Sequence, residues 1–244
     1  MAIAETGMGK TAVFLIPIIG HYLEKFTYYP NMIANPKSQY TVASPKVLIV
    51  APTRELAVQI ARNAESLAVD TCLKDQIALV YGGASMDDQA ESLSRGCVIL
   101  VATIGRLLDF IHRNMVKVDE VEFLVIDESD RQLMDGFEES LNQLLRLPEL
   151  PSTRDRVTVM TSATMSNEVS FLAQQQLNEN FCYCLVGGLN EANTNIKQEI
   201  IKCQYQEKFK NLVMLLNDPE IKNGRTIVFM NQRRRCQTFS IQLG

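Results

Sequence analysis

The sequence predicts an α/β fold: a mainly parallel sheet covered by helices. Two observations carry this expectation. Five short apolar runs rich in β-branched residues recur along the chain, each stopped by a polar or glycine-rich cluster, with helical stretches between most of them. Strands buried on both faces read as continuous apolar runs of this kind, and their alternation with helices is the pattern of a parallel sheet. The chain also opens on a glycine-rich loop that feeds directly into an apolar, helix-like stretch. At 244 residues it is long enough to bury a full core as one or two domains.

Taken in order, the opening loop is followed by a helical pattern from Thr11 to about Lys25, which Pro17 should bend or end. Residues 27–44, rich in Tyr, Asn, Pro, Ser and Thr, show no period and read as a surface loop. The five predicted strands are Val47-Leu48-Ile49-Val50, Ile77-Ala78-Leu79-Val80, Val98-Ile99-Leu100-Val101, Phe123-Leu124-Val125-Ile126 and Val157-Thr158-Val159-Met160; residues 55–67 read as a helix after the first. Ligands of such sheets bind beyond the carboxyl ends of the strands, so the polar clusters that end these runs converge on one edge. Composition shifts at residues 187–195, where two glycines and three asparagines mark a loop. A strand at 198–204, a helix at 208–216 and a strand at 226–229 follow, the opening of a further α/β layer.

Composition narrows the function classes. The net charge of −4 gives no global basic field, so any nucleic-acid site must be a local patch. Cys72, Cys97, Cys182, Cys184, Cys203 and Cys236 are scattered and lack a paired metal-binding spacing, and no secretory leader is apparent. They read as reduced thiols of an intracellular protein, the cytoplasm favoured over the nucleus. No apolar run reaches membrane-spanning length, and no membrane partner is expected.

Two features carry chemistry. In the loop Ala4-Glu5-Thr6-Gly7-Met8-Gly9-Lys10-Thr11, backbone N–H groups and the start of the helix would face an anion. Thr6, Gly7, Met8, Gly9, Lys10 and Thr11 are the candidate nucleotide-binding residues, with Lys10 reaching the outer phosphates and the Thr11 hydroxyl on Mg²⁺. The usual pattern has glycine where Ala4 stands, and a chance glycine turn before a helix is the alternative. Asp127-Glu128 ends a strand, where a nucleotide hydrolase needs carboxylates. Mg²⁺ takes oxygen ligands and keeps several waters, so Asp127 suits the metal. Glu128 suits the attacking water. An acidic pair alone is more often a solvated turn than a catalytic site, and the phosphate loop upstream reverses that balance. The cofactors implied are a nucleotide and Mg²⁺.

Residues 4–11 (AETGMGKT), 52–57 (PTRELA), Gly82-Gly83, 103–109 (TIGRLLD), 127–130 (DESD) and 162–164 (SAT) occur in that order. Together they resemble the first RecA-like domain of a DEAD-box ATP-dependent RNA helicase, and Arg95-Gly96-Cys97 with the Val186-Gly187-Gly188 and Lys197-Gln198 stretch is similar to the vasa-like branch. The resemblance covers nearly the whole chain. It implies a RecA-like P-loop domain at 1–188, a linker at 189–198 and the start of a second, incomplete RecA-like domain at 199–244. Ala4 is then the family's own residue.

The resemblance implies binding of ATP–Mg²⁺ and of single-stranded RNA, with hydrolysis coupled to local duplex unwinding. Carried onto this chain, the RNA contacts are Pro52, Thr53, Arg54, Gly83, Thr103, Gly105 and Arg106. Backbone N–H groups, hydroxyls and guanidiniums suit phosphates and read no bases, so RNA binding should be sequence-independent and salt-sensitive. Taken singly, Arg54 and Arg106 would pass for surface ion-pairing residues. Ser162 and Thr164 would couple nucleotide to RNA through hydrogen bonds with the acidic motif; without the resemblance they read as a helix cap leading into residues 165–177. Glu128, Asp127 and Lys10 are the implied catalytic residues, with Thr11 and Asp127 toward the metal.

The chain departs from the family pattern in places. Ser129 stands where the family has alanine, with little effect expected. Ile104 replaces a proline that would fix the start of a helix; Thr103 is expected to cap that helix instead, with looser loop geometry. Only Met1, Ala2 and Ile3 precede the phosphate loop, so its usual strand and the upstream adenine-reading segment are expected to be missing. The second lobe's later motifs, including the arginines that reach the γ-phosphate, are likewise not found before Gly244, and Gln232 stands where a threonine is usual. Arg233-Arg234-Arg235 suits either an RNA contact or a solvated basic turn. A chain so composed should turn ATP over poorly. The alternative is a non-catalytic module that binds nucleotide, RNA or protein.

Overall fold

The computed structural model describes residues 1–5, 7–28, 42–134, 136–187 and 196–243. The expected surface loop at 27–44, Thr6 and most of the 189–198 linker fall largely or wholly outside them. The chain forms two compact units, Met1–Glu191 and Ala192–Gly244.

The first unit is built on a seven-stranded sheet in the order β3-β4-β2-β5-β6-β1-β7. Its strands are β1 (Ala2–Ala4), β2 (Val47–Ala51), β3 (Ile77–Val80), β4 (Ile99–Thr103), β5 (Phe123–Ile126), β6 (Val157–Ser162) and β7 (Cys184–Val186). Every neighbouring pair is parallel. The five predicted strands are all present; β2 is fully buried, and β4 and β5 are buried but for one terminal residue each, as strands covered on both faces must be. The expectation that the strand before the phosphate loop is missing is corrected: Ala2–Ala4 pairs with β6 on one side and β7 on the other. Three residues suffice because both flanks are occupied, so the backbone hydrogen-bonding groups of β1 find partners in neighbouring strands.

Successive side chains of a strand point to opposite faces, and the core divides accordingly. Val47, Ile49 and Ala51 of β2 pack with Phe14, Leu15, Ile18 and Tyr22 of α1 (Lys10–Tyr28) and Ala57, Ile60 and Ala64 of α2 (Arg54–Leu67). Leu48 and Val50 face the other way, into a cluster fed by α3 (Met86–Ser94), α4 (Ile104–His112), α6 (Glu138–Leu145) and α7 (Asn167–Gln176). The short α5 (Ser129–Met134) follows β5 directly.

Pro17 does not end the helix; α1 runs on to Tyr28. A proline inside a helix costs about 3 kcal/mol. Beyond it, Ile18, Ile19, Tyr22 and Phe26 are all buried, each worth roughly 1.5–3 kcal/mol. Burial wins.

In the second unit, a 3₁₀ turn at Tyr205–Glu207 leads into α8 (Lys208–Leu216), and α9 (Arg233–Leu243) closes the described residues. Phe209 and Phe239 meet edge to face at 5.0 Å. The strands expected at 198–204 and 226–229 do not form. Ile200, Ile227 and Phe229 in them are 97%, 78% and 90% exposed. An extended run with no neighbouring strand has nothing to complete its ladder, whatever its β-propensity. All six cysteines are free thiols. Among the described residues no helix is long and apolar enough to cross a membrane.

Candidate nucleotide and RNA site

At the carboxyl end of β1 the chain turns through Gly7 and Gly9, with φ of 86° and 80°, a left-handed backbone that glycine alone enters without penalty. A Cβ at either position would meet nothing within 4 Å, so the requirement is conformational rather than steric. Lys10, the first residue of α1, folds back to donate to the Ala4 carbonyl. The lysine is thus parked on the strand it follows. Gly7, Gly9, Lys10, Thr11, Ala12, Asp127 and Glu128 line a cleft of about 360 Å³, completed by Leu56, Gln59 and Asn63 of α2. Leu56 belongs to the 52–57 motif without being among its expected contacts, and Gln59 and Asn63 lie outside every motif, on the exposed side of a helix whose signal was its apolar stripe.

The acidic motif is held from several sides. Asp127 is 2% exposed; its N–H donates to Val50 O at 3.0 Å and its carboxylate accepts from the Thr161 hydroxyl. Burial raises its pKa above the usual carboxylate value, against the lowering pull of the Thr161 hydrogen bond and of Lys10. Glu128 is also shifted up, first by burial, with the neighbouring Asp127 charge adding to it and Arg131 opposing. Arg131 Nη1 stands 3.2 Å from Glu128 Oε2 as an ion pair. Glu128 has φ of 48°, a left-handed conformation that costs a non-glycine residue about 1–3 kcal/mol and persists only where its surroundings enforce it.

Thr161, at the end of β6, is a residue the motifs passed over. Its hydroxyl serves both Asp127 and the Glu128 N–H (3.1 Å), and its carbonyl accepts from the Ser129 hydroxyl at 3.0 Å. Ser129 therefore adds a bond to β6 that alanine could not. Asp130 Oδ2 accepts from the Thr164 hydroxyl (2.9 Å), the Thr164 N–H (3.1 Å) and the Ala163 N–H (3.3 Å). Thr164 thus meets the acidic motif, whereas Ser162 donates to the Thr164 carbonyl at 2.7 Å and stays within its own turn. The cap of α7 is Ser166, which accepts from Val169 N–H, and not the Ser162–Thr164 segment.

The candidate RNA residues gather on the loops after β2, β3 and β4, which are neighbours in the sheet. Thr53 caps α2 by accepting from Leu56 N–H at 3.3 Å, beside a buried Pro52. The exposed Arg54 guanidinium lies 4.7 Å over the Tyr81 ring and beside Gly83, whose φ is 82°. Thr103 Oγ1 accepts from Gly82 N–H at 3.3 Å and makes no capping bond to α4, which corrects the expected cap. Its hydroxyl ties two loops together, and the buried Ile104 anchors the start of the helix instead. Gly105 is exposed. Arg106 donates to Ala84 O at 3.1 Å through Nη2, while its Nη1 is buried and unpartnered.

A glycine-rich loop, a strand-end acidic pair and a loop edge bearing Arg54 and Arg106 on one parallel sheet are the marks of a RecA-like P-loop fold, and comparison with known proteins sharpens the class. The sequence model of the DEAD/DEAH box helicase family matches residues 1–172, and the chain belongs to that family. It is 36% identical over 236 residues to a probable ATP-dependent RNA helicase DDX4 of Pelophylax lessonae, covering 97% of this chain and 31% of that protein. It is 38% identical to a probable ATP-dependent RNA helicase vasa-like of Penaeus vannamei, covering 96% and 32%. The chain therefore spans about a third of the length of these relatives. Among solved structures it is similar to the yeast DEAD-box splicing factor Prp28, with TM-score 0.67 and 28% identity over 99% of this chain and 52% of that one.

Proposed function

We propose that the chain acts as an ATP-dependent RNA helicase module, binding ATP–Mg²⁺ in the cleft between Lys10 and Glu128 and single-stranded RNA along the edge that carries Arg54 and Arg106. ATP hydrolysis is coupled to local unwinding of an RNA duplex. The observation that carries the reading is the meeting of Gly7, Gly9, Lys10 and Thr11 with Asp127 and Glu128 around one cleft of about 360 Å³.

The residues fit the cofactors. Among the described residues no group of three or more His, Cys, Asp or Glu side chains could hold a metal unaided. A cation here would depend on Asp127, the Thr11 hydroxyl, phosphate oxygens and water, as Mg²⁺ commonly does. Bound ATP–Mg²⁺ supplies the transferable phosphoryl group and neutralises its charge. The chain's own residues do the rest. Lys10 leaves the Ala4 carbonyl for the outer phosphates. Glu128, whose raised pKa makes it a stronger base than an ordinary carboxylate, takes the proton of the attacking water. Thr164, bonded to Asp130, passes the state of the acidic loop to the segment after β6. Arg54, Thr53, Thr103, Gly83, Gly105, Pro52 and Arg106 hold sugar and phosphate without reading bases.

Equilibrium binding tests this reading. A fluorescent ATP analogue with Mg²⁺ should bind the chain, and Lys10→Ala should abolish that binding. Homopolymeric single-stranded RNAs should bind with similar affinities that fall with salt. A chain that binds neither ligand contradicts the reading. The second unit, in which neither expected strand joins a sheet, favours a second reading in which both ligands bind without turnover. Cytoplasmic residence belongs to the same proposal and is tested by fractionation.

A further inference from the structure

The geometry points to Gln132 as a positioning residue that fixes the peptide joining Asp127 to Glu128, and so aims the Glu128 carboxylate at the nucleotide cleft. Gln132 lies on α5, is fully buried, and does not itself line the cleft. Its Nε2 donates to two carbonyls, Val50 O at the end of β2 and Asp127 O, each at 3.0 Å. The Asp127 carbonyl and the Glu128 N–H are the two polar groups of a single peptide. The first is held by Gln132 and the second by the Thr161 hydroxyl at 3.1 Å.

Both ends of that peptide plane are therefore clamped by side chains from different elements, α5 and β6. A peptide so clamped cannot rotate. Its fixed orientation is what keeps Glu128 at φ 48°, a conformation its own side chain disfavours. Gln132 also holds the peptide against β2, because Val50 O accepts the Asp127 N–H as well. The amide makes these bonds at a cost: its own Oε1 is buried with no partner. A side chain chosen for stability alone would not leave an acceptor unsatisfied there, and an apolar side chain of the same size would fill the space without that penalty. The two donors explain the glutamine.

The inference rests on the reading of Glu128 as the group that meets the attacking water, and its test separates the two. Gln132→Met keeps the volume and removes both donors. Amide hydrogen exchange, read by NMR on the free chain, should quicken about ten-fold at Glu128, the loss expected when one hydrogen bond goes. Exchange at Leu48 and Val125, inside β2 and β5, should stay as in the wild type. Thr161→Val removes the opposite clamp and should give the same local signature. In parallel, single-turnover phosphate release should slow in Gln132→Met while ATP–Mg²⁺ affinity stays within a few-fold, because the carboxylate that Gln132 aims meets the water and not the metal. Unchanged exchange at Glu128 in Gln132→Met, or quickening shared equally by Leu48 and Val125, overturns the inference. If neither variant nor wild type binds ATP, the functional reading fails while the exchange result still decides the role of Gln132.

Discussion

Glu128 combines a left-handed backbone, a raised pKa and an ion pair to Arg131. Replacing it with glutamine keeps the shape and removes the proposed base. Glu128→Gln should leave ATP–Mg²⁺ affinity within a few-fold while phosphate release is lost, as filter binding and a phosphate sensor would show. At the opposite end of the strands a different carboxylate serves stability. Glu122 loses solvation on folding, yet its pKa is lowered overall by hydrogen bonds from Lys25 and Tyr22 and by the charges of Lys25 and Lys46. Lys25 reaches both oxygens at 3.0 Å and the Tyr22 hydroxyl donates at 2.9 Å. A carboxylate with a depressed folded-state pKa stabilises above its unfolded value, and that contribution disappears as pH falls through the folded one. Glu122→Gln should therefore cost on the order of 1 kcal/mol at pH 7, discounted for the solvent reaching the pair. The gap from wild type should close in urea melts taken into the acid range below the ordinary carboxylate value. Which residues would meet was only partly legible. Lys10, Thr11, Asp127 and Glu128 were readable from motif order. Thr161 and Gln132 were not, because a threonine inside a strand and a glutamine inside a helix gain meaning only when the sheet brings β2, β5 and β6 together.

The helices and strands show which local signals survive in the tertiary context. Two β4-to-α4 and β6-to-α7 junctions look alike in sequence, each with a hydroxyl residue before a helix, yet they work differently. Ser166 caps α7 through Val169 N–H, whereas Thr103 spends its hydroxyl on Gly82 of the next loop. Ser166→Ala should cost about 1 kcal/mol in chemical denaturation, the usual value for a lost cap. Thr103→Val should leave α4 in place and instead quicken amide exchange at Gly82. If the two substitutions destabilise their helices equally, the assignment of roles is wrong. β2, β4 and β5 were legible because each presents an unbroken apolar run to two covered faces, and β3 and β6 because their short apolar-rich runs stop at polar or glycine-rich clusters. β1 and β7 were not, since three residues carry no readable period and depend on each other and on β6 for pairing. The runs at 198–204 and 226–229 show the converse, strand-like composition with no strand to join.

At the scale of the first unit, strand order separates two groups of candidate residues. β3, β4 and β2 lie at one side of the sheet and bear the loops with Arg54, Gly83, Thr103 and Arg106, while β5, β6 and β1 bear the acidic pair, the Ser162–Thr164 turn and the phosphate loop. β2 adjoins β5, so the two groups share a border at Val50 and Asp127. Arg54→Ala and Arg106→Ala should each weaken single-stranded RNA binding about uniformly across sequences and lower its salt slope by about one, leaving ATP–Mg²⁺ affinity unchanged. Equal losses for both ligands would mean that the edge is not a separate RNA surface.

The proposed function requires Glu128 to act on ATP held in the cleft, under the influence of RNA. The most direct measurement is single-turnover phosphate release from ATP–Mg²⁺ by this chain, with and without single-stranded RNA, for wild type and Glu128→Gln. Release should be slow for the wild type, faster with RNA, and absent for the variant in either condition. Release that is equal in the two proteins would contradict the proposed function.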